Sequence, residues 1–289
     1  MKIFSLFFLL AFSSSLFSQD KPACKIFTGE GRKADYKDVI KEVLKADVVF
    51  FGELHDNPIA HWLELEITKD LFAVKSKDLI MAAEMFETDN QLLIDEYFAD
   101  IIKESSFESE VRLWKNYGTD YKPLLSFAKT NGLRFVASNI PRRYASVVAS
   151  GGFEALQKLS PEALKLIAPL PIEYDPELPC YKDMLSMEGG PMGHASENLP
   201  KAQAIKDATM AKSISDNWHN GQMVIHYNGS YHSGRHMGII WYLNKYKSSI
   251  KVATIATVTQ DDIDKMDEES KGSADFVIVI PSSMTRTYK

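Results

Sequence analysis

Two copies of a Gly-x-x-His motif are the residues best suited to chemistry in this chain of 289 residues. The first copy reads Gly-Glu-Leu-His at 52–55 and the second reads Gly-Ser-Tyr-His at 229–232, each after a short apolar run. Such runs are typical of buried strands that end in a loop. Because the loops beyond the carboxyl ends of parallel strands gather in one crevice, we expect His55 and His232 to meet there. Paired imidazoles can bind a divalent metal.

Acidic, amide and cationic side chains follow two further apolar runs. Residues 79–83 lead into Glu84, and residues 133–137 lead to Asn139 and Arg142. In a hydrolytic site a carboxylate serves as general base, while an amide or guanidinium stabilises an oxyanion. The catalytic candidates are Glu53, His55, Glu84, Asn139, Arg142 and His232. The same groups also fit a buried polar network that only ties loops together.

Helical and extended patterns alternate along the chain, which indicates an α/β fold. We expect three layers, with a mostly parallel sheet of about six strands between helices. The expected strands lie near 48–51, 79–83, 133–137, 223–225, 250–258 and 276–280. The expected helices lie near 35–45, 58–74, 88–104, 107–116, 119–131, 142–149, 161–167, 197–219 and 235–246, with a last polar helix from about 261.

Residues 169–200 break this alternation with six prolines, a Gly-Gly pair, three methionines and His194. A long irregular segment in a compact domain is often a binding loop, so we predict a mainly helical or irregular lid. Methionine side chains adapt to a flat apolar ligand, although they serve equally well in ordinary packing.

Three other histidines are weaker candidates. His61 follows His55 by six residues, a spacing that does not share a helix face, so we predict a supporting or surface role. His236 follows His232 by four residues, but a glycine in the interval opposes a helical metal-binding pair. His226 lies within a strand pattern, which favours a hydrogen-bonded core histidine.

An ordered set of motifs resembles the ChaN-like haem-binding family, within the Tiki/TraB and erythromycin-esterase-like superfamily. The resemblance covers residues of about 46–260. It rests on 52–58, Glu84-Met85-Phe86 with Gln91, 121–125, 139–142, Ala202-Gln203, Asp207, Met210-Ala211 and the motif at 229–232.

The resemblance implies an exported protein that binds haem and assists haem or iron acquisition. It also implies a tyrosine iron ligand, a homodimer that encloses cofacial haems, and partnership with an outer-membrane haem uptake system. The cofactor-binding candidates are His55, Tyr121, Tyr181, Tyr231 and His232. Each tyrosine alone also fits a packed aromatic whose hydroxyl is already hydrogen-bonded.

The wider superfamily implies an alternative function. A metal-dependent peptidase or esterase would use the same histidine and glutamate cluster, with His55 and His232 as ligands of a divalent metal. No Gly-x-Ser-x-Gly elbow is present, so a serine hydrolase of that type is not expected.

The first residues predict export. Residues 1–19 combine a lysine near the start, an apolar stretch and a small polar exit, as a cleaved signal peptide does. The remaining residues, 20–289, are expected to form one domain in the periplasm or cell envelope. Lys21 stands where a lipid-anchor motif ending at Cys24 needs an apolar residue, so a lipid anchor is not clearly indicated.

Composition narrows the class of protein. With 45% hydrophobic and 25% charged residues, the chain resembles an ordinary globular protein with one large core. The net charge of −6 argues against nucleic acid as a partner, because phosphate binding needs concentrated positive charge. Cys24 and Cys180 could form one disulfide in an exported protein or stay free, and the sequence leaves both open.

Overall fold

The computed structural model describes residues 20–186 and 197–288. The predicted signal peptide at 1–19 lies outside the described residues, as does the part of the predicted lid that contains Met187, Met192 and His194. Of the remaining lid residues, 179–186 form a helix, and residues 169–178 have no regular structure. None of the described helices combines the length and apolar character that crossing a membrane requires.

Eight strands form a single sheet in the described part of the chain. They are β1 Lys25–Thr28, β2 Lys33–Ala34, β3 Val48–Glu53, β4 Leu79–Glu87, β5 Arg134–Asn139, β6 Met223–Gly229, β7 Val252–Gln260 and β8 Phe276–Pro281. Their spatial order is β2-β1-β8-β7-β3-β6-β4-β5. The strands from β3 to β8 pair in parallel, while β1 pairs antiparallel with both β2 and β8. All six predicted strands are therefore present, and the two short strands at the amino-terminal edge were not predicted.

Ten α-helices accompany this sheet within the described residues. They are α1 Tyr36–Val43, α2 Pro58–Lys75, α3 Gln91–Phe98, α4 Glu104–Glu110, α5 Lys122–Thr130, α6 Arg142–Gly151, α7 Pro161–Leu164, α8 Pro179–Ser186, α9 Leu199–Asn217 and α10 Ile239–Tyr246. Alternate residues of β3 enter two separate cores: Val49 and Phe51 pack with α1, α2 and α5, whereas Val48 and Phe50 pack with α6, α9 and α10. This arrangement confirms the predicted three-layer α/β fold.

Four predicted helices need correction. The helix predicted at 88–104 spans only Gln91–Phe98, because Asp100 has a positive φ angle and interrupts it. No α-helix starts near 261; that region contains only the three-residue 3₁₀ turn Glu268–Ser270. The helix predicted at 107–116 ends at Glu110, because Val111 adopts an extended conformation. The helix predicted from 235 begins at Ile239, because Arg235, His236 and Gly238 have positive φ angles that an α-helix does not allow.

The two cysteines lie on opposite faces of the sheet. Cys24 packs against the core on the α2 face, and Cys180 lies in the core on the α9 face. Both thiols are free in this structure. A sheet separates them, so a disulfide between them would require the fold to open.

Candidate functional site

A cleft of about 910 Å³ opens at the carboxyl edge of the sheet, where β3, β5 and β6 end. Its wall includes all six catalytic candidates, which are Glu53, His55, Glu84, Asn139, Arg142 and His232. The structure therefore brings both Gly-x-x-His motifs to one place. This size lies within the range of small-molecule and cofactor sites.

The glycines of the two motifs let the motifs approach each other. A Cβ atom added to Gly52 would lie 2.9 Å from Cα of Ser230, and one added to Gly229 would lie 2.8 Å from Nε2 of His55. Neither distance leaves room for a methyl group. Glycine is therefore required at both positions by close packing across the cleft floor.

Glu53 connects the first motif to its surroundings and is completely buried. Its Oε1 atom lies 2.5 Å from Nδ1 of His55 and accepts a hydrogen bond of 2.8 Å from the Tyr121 hydroxyl. Its Oε2 atom lies 3.2 Å from Nδ1 of His61. Burial opposes the charge of Glu53, but the hydrogen bonds from His55 and His61 prevail and hold its pKa well below the usual range.

His61 lies behind the cleft wall and is buried, so of the two positions expected from its spacing it takes the supporting one and not the surface one. Its Nδ1 atom is 3.1 Å from Oε2 of Glu64, and its Nε2 atom is 3.1 Å from the carbonyl oxygen of His55. Burial lowers its pKa, but the bonds to Glu53 and Glu64 prevail and raise it to about 11. Within the described residues, Glu53, His61 and Glu64 form a group of possible metal ligands; neither His55 nor His232 belongs to it.

The second motif places His232 between two carboxylates. Its Nε2 atom is 3.2 Å from Oε1 of Glu84, and its Nδ1 atom is 2.5 Å from Oδ1 of Asp207. Asp207 in turn accepts a hydrogen bond of 2.7 Å from the hydroxyl of Tyr181. Burial lowers the pKa of His232, but Glu84 and Asp207 prevail and raise it to about 10.

Glu84 reaches the cleft because β4 changes its pairing at this point. The register with β6 ends at Ala83, and the register with β5 shifts between Ala83 and Glu87. Glu84 then accepts the backbone N–H of Gly229 at 2.8 Å through its side chain. Burial raises its pKa, but His232 and His55 prevail and lower it to about 2, so the side chain is a carboxylate.

The three predicted tyrosine ligands lie in different environments. Tyr121 and Tyr181 are buried, and their hydroxyls donate to Glu53 and Asp207. Tyr231 lines the cleft, and its hydroxyl donates to the backbone carbonyl of Cys180. Burial raises the pKa of Tyr231 to about 12. Tyr288, which the sequence did not single out, also lines the cleft.

Positive charge and two amide oxygens without a hydrogen-bond partner among the described residues line the cleft, and one of these oxygens is Oδ1 of Asn116. Arg112, Arg142 and Lys206 line it together with the indole of Trp114. The Oδ1 atom of Asn139 is buried and has no hydrogen-bond partner among the described residues. A buried acceptor of this kind is costly unless a ligand or water contacts it.

Two histidines lie away from the cleft. His226 is fully buried between the Ser138 hydroxyl at 2.8 Å and Asn228 Oδ1 at 3.0 Å, which confirms a hydrogen-bonded core histidine. Burial lowers its pKa to about 4. His236 lies 3.4 Å from Asp275 and does not line the cleft.

Sequence reasoning gave no site role to two residues of this region, Glu64 and Asp207, and gave His61 only a supporting or surface role. His61 and Glu64 are separated by three positions, the spacing that brings side chains together on one helix face, and this was the available signal. Asp207 follows Gln203 by four positions on α9, and both side chains reach His232.

Comparison with known proteins gives two structural matches, one sequence relative and one family model. The structure of ChaN from Campylobacter jejuni, described as binding cofacial haem, has 21% identity, covers 89% of this chain and 96% of that one, and gives a TM-score of 0.65. A Bacillus cereus protein of known structure has 12% identity, covers 92% of this chain and 97% of that one, and gives a TM-score of 0.50. At these identities the likeness establishes the fold alone.

A sequence relative is the chloroplastic protein RETICULATA-RELATED 5 of Arabidopsis thaliana, with 24% identity over 212 residues. The match covers 66% of this chain, which spans only 28% of the length of that relative. A model of the family described as haem-binding uptake, Tiki superfamily, ChaN matches residues 39–243. Because this match covers well over half of the chain, the protein belongs to the ChaN family of haem-binding uptake proteins.

Proposed function

We propose that the protein binds haem in the cleft at the carboxyl edge of the sheet. The observation that carries this proposal is the composition of the cleft wall, where a cavity of about 910 Å³ is lined by aromatic rings and by basic side chains, together with buried and exposed carboxylates. Haem is a flat apolar ring with two carboxylates and therefore needs both kinds of contact. Membership of the ChaN family supports the same ligand.

The propionate groups have partners at the mouth of the cleft. Arg142 and Arg112 are exposed guanidinium groups that can form paired hydrogen bonds with a carboxylate. Lys206 adds a third positive charge from α9. The buried Oδ1 atom of Asn139 also lacks a partner, which fits a site completed by a ligand.

Tyr231 is our candidate for the iron ligand. Among the three predicted tyrosines it alone lines the cleft, since the hydroxyls of Tyr121 and Tyr181 are hydrogen-bonded to buried carboxylates. Tyr231 would hold the iron through its hydroxyl, in place of its hydrogen bond to the carbonyl of Cys180. Burial disfavours the phenolate form of Tyr231, and a ferric centre would supply the positive charge that favours it. His55 lies nearby with Nδ1 fixed by Glu53 and Nε2 beside Gly229.

In the cell, we propose that the chain is exported to the periplasm or cell envelope and assists haem or iron acquisition. The signal-peptide pattern of residues 1–19 in the sequence supports this location. A homodimer enclosing two cofacial haems, and delivery from an outer-membrane haem uptake system, complete the proposal. The cofacial haems of the Campylobacter jejuni structure support the dimer.

Titration of the purified protein with hemin tests the function. We expect saturable binding, a shifted Soret band and a phenolate-to-iron charge-transfer band. Tyr231→Phe removes only the hydroxyl, so the fold remains and the charge-transfer band disappears. Tyr246→Phe is the matched control, because both tyrosines are 37% exposed and Tyr246 does not line the cleft.

Two results would refute the proposal. Failure of the unmodified protein to bind hemin would exclude haem as the ligand. A charge-transfer band unchanged in Tyr231→Phe would exclude this tyrosine and redirect the search to Tyr288, the other tyrosine of the cleft wall.

Hydrolysis remains a second candidate because His232 is held between Glu84 and Asp207 beside the cleft. Because its pKa is raised, this imidazole is protonated at neutral pH, so it can donate a proton to a leaving group and then take one back. A divalent metal would supply an activated water. The test is turnover of ester and peptide substrates by the haem-free protein. If the protein is a hydrolase, we expect His232→Ala to abolish turnover and Tyr231→Phe to leave turnover intact. In hemin binding the order is reversed, because Tyr231→Phe has the larger effect there.

A further inference from the structure

The buried group formed by Glu53, His61 and Glu64 has no role in the proposed haem contacts. Glu53 ends β3, and the other two residues lie on the first two turns of α2, behind the wall that carries His55. All three side chains are at least nine-tenths buried. Two carboxylates in such a place are costly unless something balances them.

The hydrogen bonds of His61 determine which of its nitrogen atoms is available. Its Nε2 atom lies 3.1 Å from the carbonyl oxygen of His55, which can only accept, so Nε2 carries a proton. Without a metal, Nδ1 also carries a proton, which the two carboxylates stabilise. A bound cation would take the place of that proton, and Nδ1 would then present a lone pair towards Glu53 and Glu64. A ring nitrogen fixed in this way by a backbone carbonyl on the opposite side is the usual arrangement of a metal-binding histidine.

The carboxylates leave lone pairs free in the same place. Oε1 of Glu64 is buried and has no hydrogen-bond partner among the described residues, and Oε2 of Glu53 is buried with the ring of His61 3.2 Å away. Asp120 is also near the ring, 3.4 Å from Nε2, and therefore reinforces the protonated state of that nitrogen. The other oxygen of Glu53 is occupied by His55 and Tyr121.

The spacing of the ligand atoms suits a small divalent cation. Nδ1 of His61 is 3.2 Å from Oε2 of Glu53 and 3.1 Å from Oε2 of Glu64. Zinc bonds of about 2.1 Å in a tetrahedron place neighbouring ligand atoms about 3.4 Å apart. One ligand atom from each of the three residues lies within 4.8 Å of the others, so the group needs only small side-chain adjustments.

We propose that Glu53, His61 and Glu64 bind one divalent cation, Zn²⁺ or Mn²⁺, behind the haem cleft, with which this site shares only Glu53. Imidazole and carboxylate ligands suit both ions. The cation balances the two carboxylates and ties the end of β3 to α2. It also fixes Glu53, which in turn positions His55 at the cleft wall. The site forms whether or not haem binds.

Metal analysis of haem-free protein from cells grown with added zinc and manganese tests the site. We expect about one equivalent of zinc or manganese per chain after gel filtration. X-ray absorption at the edge of the bound metal should show only nitrogen and oxygen neighbours, with a single imidazole. Glu64→Gln keeps the side-chain shape but removes the charge, and we expect at least a tenfold loss of metal.

Glu66→Gln is the matched control, because Glu66 lies on the same helix two positions away and pairs with Lys69 near the surface. It should keep the metal content of the unmodified chain. A second variant, His61→Asn, should lose metal as Glu64→Gln does, and circular dichroism establishes that each variant is folded.

Three outcomes would overturn the proposal. In the first, the unmodified protein contains less than a tenth of an equivalent of either metal. The charges of Glu53 and Glu64 are then balanced by a proton and by a charged His61, and not by a cation. Another is full metal retention in Glu64→Gln. The third is a metal with sulfur or two imidazole neighbours, which places it elsewhere; this spectrum decides the matter even if the variants do not fold.

Discussion

Replacing Glu84 with glutamine should destabilise the protein in a pH-dependent way. The pKa of Glu84 falls from its ordinary 4.5 to about 2 in the folded protein, because the charges of His232 and His55 outweigh the effect of burial. A folded-state pKa below the unfolded one means that folding favours the carboxylate. This contribution is present above pH 4.5 and is lost as the pH falls towards 2.

The magnitude follows from the difference between the two pKa values. At about 1.4 kcal/mol for each pH unit, Glu84 contributes on the order of 3 kcal/mol at pH 6 and roughly 1 kcal/mol at pH 3. Glutamine keeps an oxygen that can accept the N–H of Gly229, so the variant loses mainly the charge beside His232. Urea unfolding of both proteins between pH 3 and pH 7 measures the free-energy difference.

Glu87→Gln provides the control, because Glu87 belongs to the same strand and also lines the cleft. Burial raises the pKa of Glu87, so folding disfavours its charged form and the variant should not be destabilised at pH 6. A Glu84→Gln difference that stays constant from pH 3 to pH 7 would contradict the reasoning, since it would show that shape rather than charge is lost.

Three further predictions address binding, packing and the thiols. Arg142→Ala should weaken hemin binding roughly tenfold, as expected for one charge-assisted hydrogen bond, whereas Arg143→Ala should not, because Arg143 pairs with Asp89 outside the cleft. If absorbance titrations showed equal losses of hemin affinity in the two variants, Arg142 would have no specific role in binding a propionate. Leu71→Ala leaves a cavity at a fully buried position and should lower the free energy of unfolding, measured with urea, by about 3 kcal/mol. Leu92→Ala changes a side chain that is 67% exposed and should lower it by less than about 0.5 kcal/mol. Both cysteines should react with a thiol reagent in the denatured, unreduced protein, and a mass lower by two hydrogens would instead indicate a disulfide.

The sequence predicted the central strands well because their apolar runs are long and bounded by polar residues. It did not predict β1 and β2, which have four and two residues and depend on pairing with β8 at the far end of the chain. Such pairing is not encoded in local periodicity. The polar segment after Asp261 looks helical by composition but packs as turns against the end of β7.

The sequence could predict those site residues whose position is set by the end of a strand. His55, Glu84 and His232 each follow or end an apolar run, so sheet geometry alone placed them together. His61 and Asp207 lie on helices, and their contribution depends on how α2 and α9 rotate against the sheet. The rotation of a helix about its own axis is set by the packing of its entire buried face against the sheet. The number of residues between a helical side chain and the nearest motif does not reveal this rotation.

The strand order has a consequence for synthesis of the chain. The central strand β3 has β6 and β7 as its neighbours, and both come from the last third of the sequence. At about 5–20 residues per second, β3 is made roughly ten to thirty seconds before β6 exists. During that interval the backbone N–H and C=O groups of β3 have no native partner strand, and its apolar side chains are uncovered, which is the kind of surface that chaperones bind. A nascent chain stopped before residue 223 therefore contains one complete histidine motif and no assembled cleft.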